Sequence, residues 1–144
     1  MEVQPYLFFT GNCEEALNFY KTIFGGEITQ LSRWKDMPPG GGEGPEVTPE
    51  TENRIMHATF TSPEFTFMAS DATPGKQYGE GNISLSIGLT DPAQGQRVFD
   101  ALAQGGQVEM PFSDAFWGAK FGMLTDRYGI DWMINCQMQG ASVN

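Results

Sequence analysis

Basic residues and cysteine are both scarce in this sequence. Its 144 residues include eight lysines and arginines against eighteen aspartates and glutamates, for a formal net charge of −10. Such an excess of negative charge disfavours nucleic acid and anionic membrane surfaces as partners. Only two cysteines are present, Cys13 and Cys136, without Cys-x-x-Cys spacing. This usage argues against a disulfide scaffold and a zinc cluster, and it favours a reducing compartment.

Long apolar runs are also missing. No stretch approaches the roughly 18 apolar residues of a membrane span. The opening MEVQPYLFF lacks the basic segment of a signal peptide. We therefore expect a cytoplasmic protein. Hydrophobic residues still make up 40% of the chain, which suits a single folded domain over residues 1–144.

The pattern of the chain predicts a strand, a helix and three strands, and this order occurs twice. The helix CEEALNFYKTIF follows Asn12, an N-cap residue, with Glu15 placed to complete a capping box. The helix PAQGQRVFDALAQ follows Asp91, and its first residue is proline. A Gly-Gly pair ends each helix.

Short matching segments support an internal duplication. The junction FGGEI at 24–28 recurs as QGGQV at 104–108, and the closing strand FTFMAS matches IDWMIN, with Met68 opposite Met133. We place module one at about residues 1–72 and module two at about 80–138 of one domain. The segment 37–53, rich in proline, glycine and acidic residues, is a surface loop or a lid over a site.

Several segments resemble one family closely. PYLFFTGNCEEALNFYKTIFGGEI, FMASDA, GNISLSIGLTD and WGAKFGMLTDRYGIDWMIN are similar to signatures of the PhnB-like family. That family belongs to the vicinal oxygen chelate superfamily, which includes glyoxalase I, extradiol dioxygenases and bleomycin resistance proteins. The resemblance implies an α+β fold in which tandem βαβββ modules form a curled mixed sheet with a central cleft. It also implies a homodimer.

The resemblance also locates the superfamily's metal positions in this chain. They fall at Tyr6, at or beside Met68, at Asn82 or Ser84, and at Met133. Divalent metals need His, Asp or Glu at such positions, because neutral side chains bind them too weakly. We therefore expect neither a metal nor another cofactor. Members of the family are often labelled demethylubiquinone methyltransferases. The sequence does not support that activity, because no predicted strand leads into a Gly-x-Gly turn of the nucleotide-binding type.

Strand alternation predicts which side chains face the cleft. In the strand FTFMAS, Met68 shares a face with Thr66 and Ser70, while the bulkier Phe67 side packs under a helix. By the same logic the inward-facing set comprises Tyr6, Phe8, His57, Thr59, Asn82, Ser84, Ser86 and Met133. His57, the only histidine, is either a proton donor or acceptor in catalysis or a hydrogen-bonded residue of the sheet.

Two further residues have a binding and a structural interpretation. Arg33 pairs with an anionic ligand or forms a salt bridge. Trp117 lines the mouth of the cleft or simply packs. Cys13, in the first helical turn, lies where the helix dipole lowers a thiol pKa, but no base lies beside it in the sequence, so we interpret it as structural or incidental.

The leading hypothesis from the sequence is a protein that binds a small molecule in an apolar cleft without a divalent metal. The proposed ligand-binding residues are Tyr6, Phe8, Arg33, Met68, Asn82, Ser84, Trp117 and Met133, and His57 is the catalytic candidate. The alternative is a metal-dependent lyase, isomerase or dioxygenase of the superfamily. A third possibility is a protein with only an interaction role, since one fold hosts many chemistries.

Overall fold

The computed structural model describes residues 1–36, 47–76, 78 and 81–137. The chain falls into two compact units, residues 1–77 and 78–144. That both modules belong to a single domain stays a prediction. Residues 37–46 of the loop predicted at 37–53 lie outside the described residues, so its role as a lid stays a prediction too. None of the described helices is long and apolar enough to cross a lipid bilayer.

Unit one carries the first module. Its elements are β1 (Tyr6–Phe9), α1 (Cys13–Phe24), β2 (Glu27–Arg33), a short 3-10 helix (Trp34–Asp36), β3 (Ile55–Thr61) and β4 (Thr66–Asp71). The strands form one four-stranded sheet, sheet one, in the order β1-β4-β3-β2. β1 runs parallel to β4, and the other neighbours are antiparallel. The predicted order of elements is confirmed for this half.

Unit two carries the second module. Its elements are β5 (Leu85–Leu89), α2 (Pro92–Ala103), β6 (Gln107–Asp114), β7 (Ala119–Thr125) and β8 (Asp131–Gln137). They form sheet two in the order β5-β8-β7-β6, again with the first strand parallel to the last. The same strand order in both sheets confirms the duplicated βαβββ plan and the α+β class.

The core of unit one lies between α1 and one face of sheet one. Alternate strand residues are buried there: Leu7, Phe9, Ala58, Phe60, Phe67 and Ala69. The helix contributes Ala16, Leu17 and Tyr20, and the Tyr20 ring meets Phe67 edge-on with 6.1 Å between centroids. Burying each large side chain of this kind stabilises the fold by about 2 kcal/mol. The prediction that the Phe67 side of β4 packs under a helix is confirmed.

The core of unit two follows the same plan. β8 buries Trp132, Ile134 and Cys136, while Phe99 and Leu102 are buried on α2. The Phe99 ring stacks on Phe112 of β6 with 5.7 Å between centroids. In both units, therefore, one helix covers one face of a sheet, and alternate side chains occupy the other face.

The start of α1 differs from the prediction. Asn12 makes no side-chain capping hydrogen bond, so the expected capping box with Glu15 is wrong. Instead the buried Asp71, at the end of β4, accepts hydrogen bonds from the backbone N–H groups of Gly11 and Cys13, each at 2.9 Å. A remote carboxylate thus does the work that sequence rules assign to a local side chain.

Local signals predicted the start of α2 and the end of α1 correctly. Asp91 accepts from the Ala93 N–H at 3.0 Å at the start of α2, with Pro92 as the first helical residue. Gly25 ends α1 with a φ of 72°, a value that favours glycine. Asp126 accepts from backbone N–H groups of its own turn, and its Oδ2 also accepts from the Trp132 Nε1–H at 2.8 Å.

Two strands differ from the sequence pattern, β3 in its register and β5 in its start. In RIMHATF the pattern groups Met56 with Ala58 and Phe60 as the apolar set of β3, but Met56 is exposed and Ile55 is buried in its place. The cause is a pair of register shifts between β2 and β3, the first of which includes Gln30 at a φ of 52°. β5 begins at Leu85, so Asn82 and Ser84 precede it rather than belonging to it.

Candidate functional site

The face of sheet one opposite α1 carries a mixed set of polar, aromatic and thioether side chains. We call it open face one: Tyr6, Phe8, His57, Thr59, Met68 and Ser70. Tyr6 is the cross-strand partner of Met68, and Met68 is the partner of Thr59. Four of the residues predicted to bind or act on a ligand, Tyr6, Phe8, Met68 and His57, therefore lie on one continuous surface.

A hydrogen-bonded pair stands at the centre of open face one. The Tyr6 hydroxyl lies 3.2 Å from Nδ1 of His57, and the two ring centroids are 5.7 Å apart. Because β4 separates β1 from β3, the tyrosine side chain spans the strand between them. When the hydroxyl donates, Nδ1 accepts, and the ring proton of neutral His57 is on Nε2. The pair can therefore present a donor to a bound molecule.

Aromatic and apolar groups surround this pair. The Phe8 ring lies 4.8 Å from the Tyr6 ring between centroids, and Phe8 is 48% exposed. Met68 adds a flexible thioether beside them, which adapts well to irregular apolar ligands. The surface thus combines apolar contact area with a few polar groups, the composition expected of a small-molecule site.

The corresponding surface of sheet two is chemically different. We call it open face two: Ser86, Gly88, Phe121, Met123, Met133 and Asn135. Met133 lies between its cross-strand partners Ser86 and Met123, and Asn135 lies between Gly88 and Phe121. The Oδ1 atom of Asn135 is buried and has no hydrogen-bond partner among the described residues.

The remaining predicted residues of unit two lie at the margins of this face. Asn82 is exposed in a bend before β5, and Ser84 is half-buried just before the strand. Trp117 lies in the turn between β6 and β7, 44% exposed, and its ring lies 5.4 Å from that of Phe121 between centroids. Of the four residues predicted to bind a ligand in this unit, only Met133 lies within the face itself, together with Ser86, which was predicted to face the cleft.

Arg33 is engaged elsewhere. Its guanidinium forms a two-pronged ion pair with Glu14 of α1, at 3.1 and 2.8 Å, and also donates to the Asn53 carbonyl. The Glu14 hydrogen bond raises the pKa of the Arg33 guanidinium above its usual value. The salt bridge, one of the two interpretations of this arginine, is therefore present, and the geometry gives no support to the ligand-binding one.

Both cysteines are free and buried. Burial raises the pKa of the Cys13 thiol, and the nearby Asp71 and Glu14 carboxylates raise it further. The prediction that the helix dipole lowers this pKa is wrong, because desolvation and two negative charges outweigh the dipole. A thiol held in its neutral form is a poor nucleophile, so Cys13 has no place in the candidate site.

The donor set on the two faces does not suit a divalent metal. The positions that the superfamily uses for metal carry Tyr6, Met68, Asn82 or Ser84, and Met133. Among the described residues, no group of three or more His, Cys, Asp or Glu side chains could hold a metal ion. Neutral hydroxyl, amide and thioether groups bind Zn²⁺, Mn²⁺ or Fe²⁺ weakly.

Comparison with solved structures defines the class of fold. A glyoxylase/bleomycin resistance protein/dioxygenase domain from Frankia sp. EAN1pec has a TM-score of 0.65 at 12% identity, covering 95% of this chain and 97% of that one. The fosfomycin resistance protein FosX from Listeria monocytogenes, solved with Mn(II), has a TM-score of 0.63 at 9% identity, covering 94% and 90%. The chain therefore has the glyoxalase/bleomycin resistance fold.

Closer relatives define the family. A family model described as 3-demethylubiquinone-9 3-methyltransferase matches residues 1–135. Protein YjdN of Escherichia coli (strain K12) is 32% identical, covering 96% of this chain and 97% of its own. Protein PA1353 from Pseudomonas aeruginosa is 38% identical with a TM-score of 0.83, over 96% and 99%. A PhnB protein from Bacillus cereus is 31% identical with a TM-score of 0.77, over 94% and 99%. The chain belongs to this PhnB-like family.

Proposed function

We propose that the protein binds a small organic molecule on open face one and needs no divalent metal to do so. The observation that carries this proposal is the Tyr6–His57 hydrogen bond, at 3.2 Å, on a surface that also carries the apolar side chains of Phe8 and Met68. A hydrogen-bonded pair holds both rings in place, so a ligand meets a preorganised polar group. Phe8 and Met68 supply apolar contact beside it.

The ligand is expected to present a hydrogen-bond acceptor to His57. With Nδ1 engaged by the Tyr6 hydroxyl, Nε2 is the ring nitrogen left to contact a ligand. An apolar body and one acceptor, such as a carbonyl oxygen, match this surface. Proton transfer through His57 is not required for binding.

The activity in the family's description is not proposed for this chain. The sequence has no strand that leads into a Gly-x-Gly turn followed by an acidic residue, the usual arrangement of a nucleotide-type cofactor site. The run GGGEG falls within residues 37–46, outside the described residues. Methyl transfer is therefore not part of the proposed function.

Localisation and assembly are part of the same proposal. Two free, buried cysteines suit a reducing compartment, and we place the protein in the cytoplasm on that ground. A homodimer is proposed by analogy with the superfamily. Analytical ultracentrifugation tests this proposal. A monomeric mass at micromolar concentration would exclude the dimer.

The alternative function is a metal-dependent lyase, isomerase or dioxygenase. It is favoured by the fold shared with FosX, whose structure contains Mn(II). In this case His57 would be a metal ligand together with a carboxylate, although the described residues contain no group of three or more His, Cys, Asp or Glu side chains that could hold a metal ion. A His57→Ala variant would then lose metal uptake.

Elemental analysis separates the two functions. The untagged protein is dialysed exhaustively, incubated with Zn, Ni, Fe(II) or Mn, dialysed again and analysed. We expect far less than one metal per chain, because the available donors are neutral. About one metal per chain, lost in His57→Ala, would overturn the metal-free proposal and support the enzyme.

A ligand screen tests the binding face. Small molecules are ranked by the rise in melting temperature of the wild-type protein, since a ligand that binds only the native state stabilises it. We expect hits to lose about tenfold in affinity in Tyr6→Phe, which keeps the ring and removes the hydroxyl. Thr22→Val, which removes an exposed hydroxyl on α1, is the matched control. Equal affinity in all three proteins would contradict the site.

A further inference from the structure

Open face two contains a polar atom that the fold leaves unsatisfied. The Asn135 Oδ1 atom is buried without a hydrogen-bond partner among the described residues. Such an atom has given up its hydrogen bonds to water and gained none in return, which destabilises the folded state. Because buried polar atoms are nearly always paired in native proteins, an exception calls for an explanation.

Space lies next to this atom on the neighbouring strand. Gly88 is the cross-strand partner of Asn135, and a Cβ atom built on Gly88 would meet no heavy atom within 4 Å. Gly122 on β7 differs, since a Cβ atom there would lie 2.6 Å from the Phe99 ring. Packing therefore requires glycine at 122 but not at 88. A glycine inside a strand often marks a bulge, a tight bend, or a site where a ligand or another backbone approaches closely, and the pairing at Gly88 is regular, without a bulge.

The groups around this space suit an aromatic ring. Met133 and Met123 lie side by side in the next row of the sheet, and thioether sulfur makes favourable contacts with aromatic rings. On the other side of Asn135, Phe121 stands as its partner, with the Trp117 ring 5.4 Å from it. Thioethers and aromatic rings thus flank a single unsatisfied acceptor.

We propose that open face two holds a subsite for a flat aromatic ligand that carries an N–H group. The ligand lies over Gly88 and the Met133–Met123 pair, and its N–H donates to Asn135 Oδ1. Asn135 as a whole is only half-buried, so binding includes a turn of its amide towards the space over Gly88. The proposal uses residues of unit two alone, so its test is separate from that of the Tyr6–His57 pair.

Indole and 1-methylindole are the probes that test the hydrogen bond. They share the ring system, but methylation removes the N–H donor. Side-chain amide signals in ¹⁵N spectra and methionine methyl signals in ¹³C spectra follow the titration. We expect indole to shift the signals of Asn135, Met123 and Met133, and 1-methylindole to bind about tenfold more weakly. Equal binding of the two probes, or no binding of indole up to its solubility limit, would overturn the proposal.

Two variants locate the subsite. Gly88→Leu fills the space over the glycine, and Asn135→Leu replaces the acceptor by an apolar group of similar shape. We expect each to weaken indole binding about tenfold or more, whereas Asn18→Leu, the same substitution on exposed α1, leaves it unchanged. Wild-type affinity in Asn135→Leu would exclude the site.

The melting temperature of Asn135→Leu provides a second readout that needs no ligand. Removing an unsatisfied buried acceptor should raise it by about 3 °C relative to the wild type. If Asn135 is retained for binding at a cost in stability, its replacement should raise the melting temperature and weaken ligand binding at the same time. A lower melting temperature would mean that Asn135 supports the fold, and the proposal would fail.

Discussion

Asp71 holds together three separate segments of unit one. Its Oδ1 accepts from the N–H groups of Gly11 and Cys13, and its Oδ2 accepts from the N–H of Ile55, all at 2.9 Å. The carboxylate thereby joins the turn before α1, the first residue of that helix and the start of β3. Removing it would leave three donors without their acceptor, two of them in buried bonds, so its role is structural.

The protonation of Cys13 follows from this neighbourhood and makes stability depend on pH. Burial and the Asp71 and Glu14 carboxylates raise the pKa of the folded thiol above its unfolded value. The folded state therefore keeps a proton that the unfolded chain loses above about pH 8.5. We expect the contribution of Cys13 to be fully present below that pH and to be lost as pH rises. Urea unfolding between pH 7 and 10 measures the slope.

A variant and a chemical probe test whether Cys13 causes this loss of stability at high pH. In Cys13→Ala the decline of the free energy of unfolding above about pH 8.5 should be shallower than in the wild type. Native wild-type protein should also resist a thiol reagent at pH 8 and react once unfolded, because the thiolate is the reactive form. Rapid labelling of Cys13 in the native protein would contradict a raised pKa.

At the scale of elements, the two helices begin in different ways. Asp91 caps α2 with its own side chain, whereas Asn12 makes no such bond and Asp71 takes over that role for α1. We expect Asp91→Ala to cost about 1 kcal/mol of the free energy of unfolding. Asn12→Ala should cost less than about 0.5 kcal/mol. Urea denaturation compares the two, and an equal loss would mean that Asn12 does cap its helix.

Local patterns predicted the elements well and the long-range contacts poorly. Alternation predicted that Phe67 faces the helix, because burial of one sheet face imposes a period of two residues. It failed at Met56, where a register shift with β2 breaks that period. The Asp71 cap also escaped prediction, since its bonds cross 58 and 60 residues of sequence.

In the candidate site, too, the sequence predicted the positions of single residues but not the contacts between them. Tyr6 and His57 were each predicted on the inner face, but their hydrogen bond depends on the β1-β4-β3 order. That order could have been anticipated from the parallel pairing of first and last strands in a βαβββ module. Gly88 and Asn135 gave no local signal, because open space and a missing partner are properties of the packed structure.

At the scale of the whole molecule, the charge of −10 sets what the surface attracts. This charge disfavours nucleic acid and anionic lipid as partners, and it does not disfavour an uncharged ligand with apolar surface. Both proposed ligands, one with an acceptor for His57 and one with a donor for Asn135, fit this requirement. A preference for such molecules therefore agrees with the chemistry of each open face.

The prediction of a single domain concerns how the whole chain unfolds. The two units contain 77 and 67 residues, and in the described part of each an α-helix covers one face of a four-stranded sheet. Domains of this size bury a smaller share of their surface than larger domains do and are marginal alone. We therefore expect one cooperative transition in urea, with the same midpoint for probes in either unit.

Tryptophan fluorescence distinguishes the units because the three tryptophans are divided between them. Trp34 is buried in unit one, while Trp117 and Trp132 lie in unit two. A Trp117→Phe, Trp132→Phe double variant reports on unit one, and Trp34→Phe reports on unit two. Each variant is also followed by circular dichroism, so that a midpoint shifted by the substitution itself is recognised. If the urea midpoints from fluorescence and circular dichroism differ within one variant, the two modules unfold as two domains. Each open face must then be assigned to a module that folds alone.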